Sequence, residues 1–147
     1  MLPPYTFSVS IDDFEPMSGS KGKGKRTEKK IELASRIKNQ AKEEIQTAAD
    51  ELRGRHVHVK VHFRLWKGDE THTNTTSKKD LDNLLKLVLD VLQLRLDAQH
   101  PIDGLGIINN DEDVFYAEAT KEVIANKPKT GLDLVIYEFE GVSCIKG

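Results

Sequence analysis

Four stretches of the chain alternate between hydrophobic and polar residues, which is the pattern of a β-strand with one buried face. They cover about residues 5–11, 57–66, 114–123 and 132–139. In the clearest of them, apolar residues occupy every odd position from Val57 to Leu65, and the even positions carry His58, Lys60, His62, Arg64 and Trp66. We therefore predict four strands, with a turn at 127–131 between the last two.

Two other stretches repeat hydrophobic residues at steps of three and four, as an amphipathic helix does. The first runs from 28 to 52, with Thr27 placed to cap its start and Gly54 to end it. Its predicted apolar stripe consists of Ile31, Ala34, Ile37, Ala41, Ile45, Ala48 and Leu52. The second, from about 82 to 96, carries leucine on more than one side, so we expect it to be well buried or shared with a partner subunit.

The order of these elements, β-α-β-α-β-β, predicts an α/β (α+β) protein with a mixed sheet and two main helices. A length of 147 residues fits a single domain, 1–147, whose core is large enough to need no disulfide. Between the first strand and the first helix, glycine, serine and lysine residues predict a flexible basic loop at about 15–27.

The overall charge does not by itself indicate a nucleic-acid partner, because 22 basic and 24 acidic side chains leave a formal net charge of −2. The charges are unevenly distributed, however, since a basic arm at 21–30 contrasts with an acidic segment at 97–113. Such an arm can neutralise DNA phosphates and become ordered on contact, or it can be a solvated loop. Its candidate DNA-binding residues are Lys21, Lys23, Lys25 and Arg26.

Cysteine content and hydropathy indicate the compartment. Cys144 is the single cysteine and cannot form an internal disulfide, which favours a reducing, cytoplasmic setting. No apolar run is long enough to span a bilayer, and the first residues lack the basic and apolar regions of a secretory signal. We therefore expect a cytoplasmic protein with no membrane partner.

The most informative segment is K-K-D-L-D-N-L-L-K at 78–86, where the second helix begins. Asp80 and Asp82 point to one side if the backbone there is extended. Lys86 follows Asp82 by one helical turn, and Asp90 lies one further turn on. Acids at a helix start are stabilised by the free amide groups, so this pair could also be an ordinary helix cap.

A second acidic stretch, N-N-D-E-D at 109–113, precedes the third strand and holds Asp111 and Asp113. If the two stretches meet, repulsion would raise the pKa of at least one carboxyl, and a divalent cation would remove that conflict. Oxygen ligands without cysteine suit Mg²⁺ or Mn²⁺, which can activate water and neutralise phosphate oxygens. Lys86 would then stabilise charge on the phosphate. The alternative for this stretch is solvated surface.

These residues resemble the RusA family of Holliday junction resolvases. The run from Asp80 through Lys86 to Asp90 matches the family signature D-x-D-N-L-x-x-K-x-x-x-D. Asn110 and Asp111 before the third strand resemble its second motif, in which two aspartates are usual. Asn110 therefore departs from the family pattern.

The resemblance implies a homodimeric α/β endonuclease that binds four-way DNA junctions and makes paired cuts with Mg²⁺ or Mn²⁺ during DNA recombination and repair. Carried over by position, the metal-binding catalytic acids are Asp80, Asp82 and Asp111, and the catalytic lysine is Lys86. Asp113 and Asp90 are possible additional site residues, with an anchoring contact as the alternative for Asp90. Lys78 and Lys79 join the basic loop as candidate DNA contacts.

Two other functions remain open from the sequence. The first is a nuclease with the same site that acts on other branched DNA or on plain duplex. The second is a non-catalytic DNA-binding protein in which the acids hold a structural metal. Aromatic stacking on a base by Phe14 or Trp66 is less favoured than ordinary packing.

Overall fold

The structure, a computed structural model, describes residues 5–16, 23–66, 81–95 and 103–140. Its elements in chain order are β1 (Thr6–Ile11), α1 (Lys23–Gln40), α2 (Lys42–Leu52), β2 (Val57–Trp66), α3 (Leu81–Leu92), β3 (Val114–Ile124) and β4 (Gly131–Glu138). This confirms the mixed α+β class and all four predicted strands. Within the described ranges, no helix is both long and apolar enough to cross a membrane.

The first predicted helix differs from expectation at its start and in its middle. It begins at Lys23 rather than near 28, so the predicted loop is wrong for Lys23, Lys25 and Arg26, and its part at 17–22 lies outside the described residues. Lysine and arginine favour helix, which explains the extension before Thr27. The helix is interrupted at Ala41 (φ −126°, ψ 37°), although Ala41 N–H still donates to Ile37 O at 2.8 Å.

The buried face of α1 is also rotated by one residue from the predicted stripe at its first turns. Ile31 is 43% exposed, whereas Lys30 is only 8% exposed and Leu33 is fully buried. From Ala34 onward the predicted stripe is correct, and Ala34, Ile37, Ala41, Ala48 and Leu52 are buried. A lysine therefore occupies a position where the pattern predicts an apolar residue.

The sheet has the strand order β1-β4-β2-β3. β2 pairs parallel with β3 and antiparallel with β4, which in turn pairs antiparallel with β1. The connection between β3 and β4 therefore passes the end of β2 instead of forming a hairpin. It does so beside Trp66, whose ring centroid lies 4.7 Å from Lys127 Nζ, which fits the packing role expected for Trp66.

The core lies between one face of this sheet and the helices. Alternation along β2 is as predicted, since Val57, Val59, Val61, Phe63 and Leu65 are all buried. Buried residues of α3 close the same core, namely Leu84, Leu87, Val88, Val91 and Leu92. Phe14 is 1% exposed and packs in the core, so its packing interpretation is confirmed.

The C-terminal end of α3 is closed by the segment at 104–108, which is why the helix ends at Leu92 and not at the predicted 96. Leu105 N–H donates to Val91 O at 2.9 Å, and Ile107 N–H donates to Leu92 O at 3.0 Å. A Cβ on Gly104 would lie 2.1 Å from Gln93 O, so only glycine permits this approach. The chain therefore leaves for β3 from this end of the helix.

Candidate active site

The first acidic motif lies at the start of α3. Asp82 is in the first turn and exposed, and Lys86, one turn later, is also exposed. Both stand on the face opposite the buried leucines and valines, so both side chains lie on the outer surface of α3. Asp80 lies outside the described residues.

The second acidic motif forms a short 3₁₀ turn, Asp111–Asp113, that leads directly into β3. Asn110 is extended (φ −157°, ψ 173°), and its side-chain Oδ1 accepts a hydrogen bond from Glu112 N at 2.9 Å. Asn110 therefore acts as a helix cap, a role that asparagine and aspartate fill about equally well. This gives a structural reason why the departure from the usual pair of aspartates is compatible with the turn.

Asp113 is the acid of this motif whose surroundings are most unusual. The residue is half-buried, and its Oδ2 atom is buried without a hydrogen-bond partner among the described residues. A buried carboxylate oxygen without a donor is costly, so such atoms generally have a cation or a donor close by. The oxygen is therefore suited to accept a metal ion, a metal-bound water or a lysine.

Asp90, two turns beyond Asp82, is engaged in packing α3 against α1. Its Oδ2 lies 3.0 Å from Lys30 Nζ, and both side chains are largely buried, at 19% and 9% exposure. This contact fits the anchoring alternative for Asp90. Sequence reasoning missed Lys30, although its spacing of three and four from Leu33 and Ala34 puts it on the buried face.

The two motifs lie at opposite ends of α3. Asp82 is in the first turn, and ten residues at about 1.5 Å each put it about 15 Å from Leu92. At Leu92, the carbonyl accepts from Ile108 N–H at 3.2 Å, and Asp111 follows three residues later. Within the described ranges, no three or more histidine, cysteine or acidic residues form a group that could hold a metal.

The predicted DNA-contacting residues lie only partly within the described chain. Lys21, Lys78 and Lys79 lie outside it. Lys23, Lys25 and Arg26 are at the start of α1, where only the backbone is described. Their placement on a helix puts three cationic residues within the first turn or so of α1.

Many polar side chains on the outer face of the sheet form hydrogen bonds or ion pairs with neighbouring residues. His62 Nε2 lies 2.8 Å from Glu122 Oε1, and Arg64 bonds Asp12 at 2.7 Å and Asp133 at 2.6 Å. Burial lowers the pKa of His58, and Lys60 lowers it further, against a smaller opposing effect of Glu118. The predicted stripe is therefore a polar sheet face.

We predict that Asp90→Ala lowers the free energy of unfolding by about 3 kcal/mol, because it leaves the Lys30 ammonium buried without this carboxylate. Urea unfolding in the presence of EDTA measures the loss without any metal. The matched control is Glu32→Ala, which removes the more exposed Lys29–Glu32 pair of 3.5 Å and should cost less than about 0.5 kcal/mol. Equal small effects of the two variants would show that Asp90 does not anchor α3.

Comparison with known proteins relates this geometry to a family. A family model described as endodeoxyribonuclease RusA matches residues 13–134 and so includes both acidic motifs. No curated protein matches the chain. Enzymes of this kind resolve Holliday junctions, with a divalent-metal requirement and a role in recombination and repair. Since the match covers most of the sequence, the chain belongs to the RusA family of Holliday junction-resolving endodeoxyribonucleases.

Proposed function

We propose that the protein is a homodimer that uses Mg²⁺, with Mn²⁺ as a substitute, to cut two strands of a four-way DNA junction in a paired reaction. The proposed metal ligands are Asp80, Asp82 and Asp111, and Lys86 contacts the scissile phosphate. The observation that carries the proposal is the exposed pair Asp82 and Lys86, one helical turn apart within the family match. The chain 1–147 acts as a single endonuclease domain in this proposal.

The donor set fits a hard divalent cation. Carboxylate oxygens are the ligands that Mg²⁺ and Mn²⁺ prefer. The buried, unpartnered Oδ2 of Asp113 supports a cation near the second motif, and it makes Asp113 a candidate for a further ligand or for a bond to a coordinated water. A bound divalent ion would supply an activated water and neutralise charge on the phosphate.

The protein groups have separate tasks. Asp82, in the first turn of α3, lies where the helix dipole favours negative charge, a position suited to a carboxylate that binds a cation. Lys86 would hold a non-bridging phosphate oxygen and stabilise the charge that develops there. The lysines and arginine at the start of α1, together with Lys21, Lys78 and Lys79, would bind the DNA backbone and orient the junction.

A dimer would also bring together the two acidic motifs, which lie apart within one chain. Asp82 lies in the first turn of α3, whereas Asp111 follows the segment that is bonded to the last turn of that helix. Two ligands of one Mg²⁺ each need an oxygen about 2.1 Å from it. We infer that each site combines Asp80, Asp82 and Lys86 of one subunit with Asp111 of the partner subunit. A two-fold dimer then contains two such sites, one for each of two symmetric cuts.

We predict that Asp82→Asn and Asp111→Asn each reduce cleavage of a synthetic four-way junction by about 10²-fold or more, because each loses a metal ligand but keeps its shape. Both variants should retain the circular-dichroism spectrum and junction binding of the wild type. EDTA should abolish wild-type cleavage, and added Mg²⁺ should restore it.

Glu112→Gln is the matched control, since it neutralises the exposed acid next to Asp111 and should leave cleavage unchanged. Linear duplex and a flap substrate serve as comparisons for the junction. Cleavage of all three substrates would favour a nuclease of broader target. Tight binding with no cleavage of any substrate would contradict the catalytic role and favour a structural metal site.

We further predict that mixing the inactive Asp82→Asn and Asp111→Asn proteins restores cleavage. After subunit exchange about half of the dimers are mixed, and each mixed dimer has one intact site, so about a quarter of all sites should be active. The product should be single-strand nicks rather than paired cuts, which a denaturing gel of each labelled strand distinguishes.

The control for this exchange is a mixture of Asp82→Asn with Lys86→Ala. Both changes fall in the part of the site that one subunit provides, so no mixed dimer has an intact site and no cleavage should return. If the Asp82→Asn and Asp111→Asn mixture also stays inactive after verified exchange, both acids belong to one subunit's site and the shared arrangement is wrong.

A further inference from the structure

β3 is an unusually open edge strand. It has 11 residues, and within the described chain it pairs with β2 alone. Residues on both of its faces are exposed, including Phe115 at 50%, Tyr116 at 46% and Val123 at 43%. These account for three of the five large hydrophobic residues that are exposed among the described residues.

The opposite edge of the sheet is different. β1 has six residues, and the side-chain amide of Gln40 donates to the carbonyl of Ser10 on that strand. A long exposed edge strand is a template for pairing with another chain, and proteins usually shorten, cover or charge such edges. The contrast makes β3 the more open of the two sheet edges among the described residues.

We propose that two copies of this chain pair through β3, antiparallel, around a two-fold axis at Ala119. The inference rests on the proposed homodimer and specifies its interface. A two-fold axis perpendicular to the sheet keeps each face on its own side, so residues of the same parity lie opposite each other. From Tyr116 onward, where β3 pairs regularly with β2, the pairs are Tyr116–Glu122, Ala117–Lys121, Glu118–Thr120 and Ala119–Ala119, and the bulge at Phe115 ends this regular pairing.

Charge selects this register over its neighbours. In the Ala119 register, no two like charges are directly opposite between Tyr116 and Glu122. A centre at Glu118 would place that carboxylate opposite its own copy. A centre at Thr120 would place Glu118 opposite Glu122 twice, and one at Lys121 would oppose two lysines. Each alternative is destabilised by like-charge contact.

The same pairing brings the two halves of the proposed site toward each other. Because the two copies of β3 run antiparallel about Ala119, the first residues of the partner's strand lie beside the last residues of this one, and Asp111 of the partner subunit lies just beyond that end. That end is where Trp66 pairs with Ile124. Asp82 lies at the start of α3, and the opposite end of that helix is bonded to the segment that leads into the start of β3. An antiparallel β3 pair therefore moves the partner's Asp111 away from the C-terminal end of α3 and toward the end of the sheet on the side of Asp82.

Cysteine cross-linking of the full chain tests the register. In a Cys144→Ser background, Ala119→Cys places two thiols on the two-fold axis, with Cβ atoms about 4.5–5.5 Å apart. A second variant carries both Glu118→Cys and Thr120→Cys and tests the neighbouring pair. Hydrogen-bonded and non-hydrogen-bonded pairs alternate along an antiparallel ladder, so one of the two variants has the closer spacing that a disulfide needs. We expect a disulfide-linked dimer on mild oxidation of at least one variant.

Val123→Cys is the matched control, because Val123 is an exposed residue of the same strand that lies four positions from the axis, so its two copies are far apart and should not cross-link. A second comparison is Ala117→Glu against Ala117→Lys, which place opposite or like charge against Lys121 of the partner subunit. The dimer dissociation constant should be about tenfold lower for the glutamate variant, since two cross-strand pairs change per dimer.

The outcomes separate the interface from the activity. A dimer by light scattering that cross-links in neither the Ala119 nor the Glu118/Thr120 variant would overturn the β3 register but leave the dimer standing. A monomer at all concentrations would overturn both. Efficient cross-linking in a protein that cleaves no DNA would support the interface and contradict the proposed catalysis.

Discussion

Hydrogen bonds at the C-terminal end of α3 determine where both acidic motifs lie. The last carbonyls of a helix have no partner within it, and a buried end must find donors elsewhere. Here the amides of Gly104, Leu105, Gly106 and Ile107 fill that role for Leu94, Val91, Gln93 and Leu92. The chain is thereby fixed at this end before it turns into β3, and Asp111 is held near it while Asp82 stays at the other.

The contact between Lys30 and Asp90 holds α3 at a second place, against α1. It is a largely buried ion pair between α1 and α3, and losing one partner of such a pair is far more costly than losing an exposed one. With one side of α3 held against α1 and the core, its exposed face carries Asp82 and Lys86. The same packing that stabilises the fold therefore presents the proposed chemistry to a large ligand such as DNA.

The strands were predictable from sequence because a half-buried strand must alternate, and β2 alternates without exception from Val57 to Leu65. Helix positions were less predictable where a polar residue is buried. Lys30 faces the core and Ile31 does not, because the partner carboxylate of Asp90 comes from a distant segment. Local pattern also cannot give strand order, and so the insertion of β2 between β3 and β4 appears only in the fold.

The candidate site, like the fold, was only partly predictable from the sequence. The D-x-D-N-L and Asn-Asp motifs were readable from sequence, as was the family, because they are local. Their placement at opposite ends of α3 depends on hydrogen bonds between segments that the sequence does not relate. The unpartnered Oδ2 of Asp113 likewise follows from burial, which sequence alone does not give.

In the proposed arrangement, two subunits together complete each metal site. The most direct test measures Mn²⁺ binding by electron paramagnetic resonance at protein concentrations below and above the dimer dissociation constant. Bound Mn²⁺ per chain should rise in step with the fraction of dimer. Equal Mn²⁺ binding by monomer and dimer would contradict a site shared between subunits.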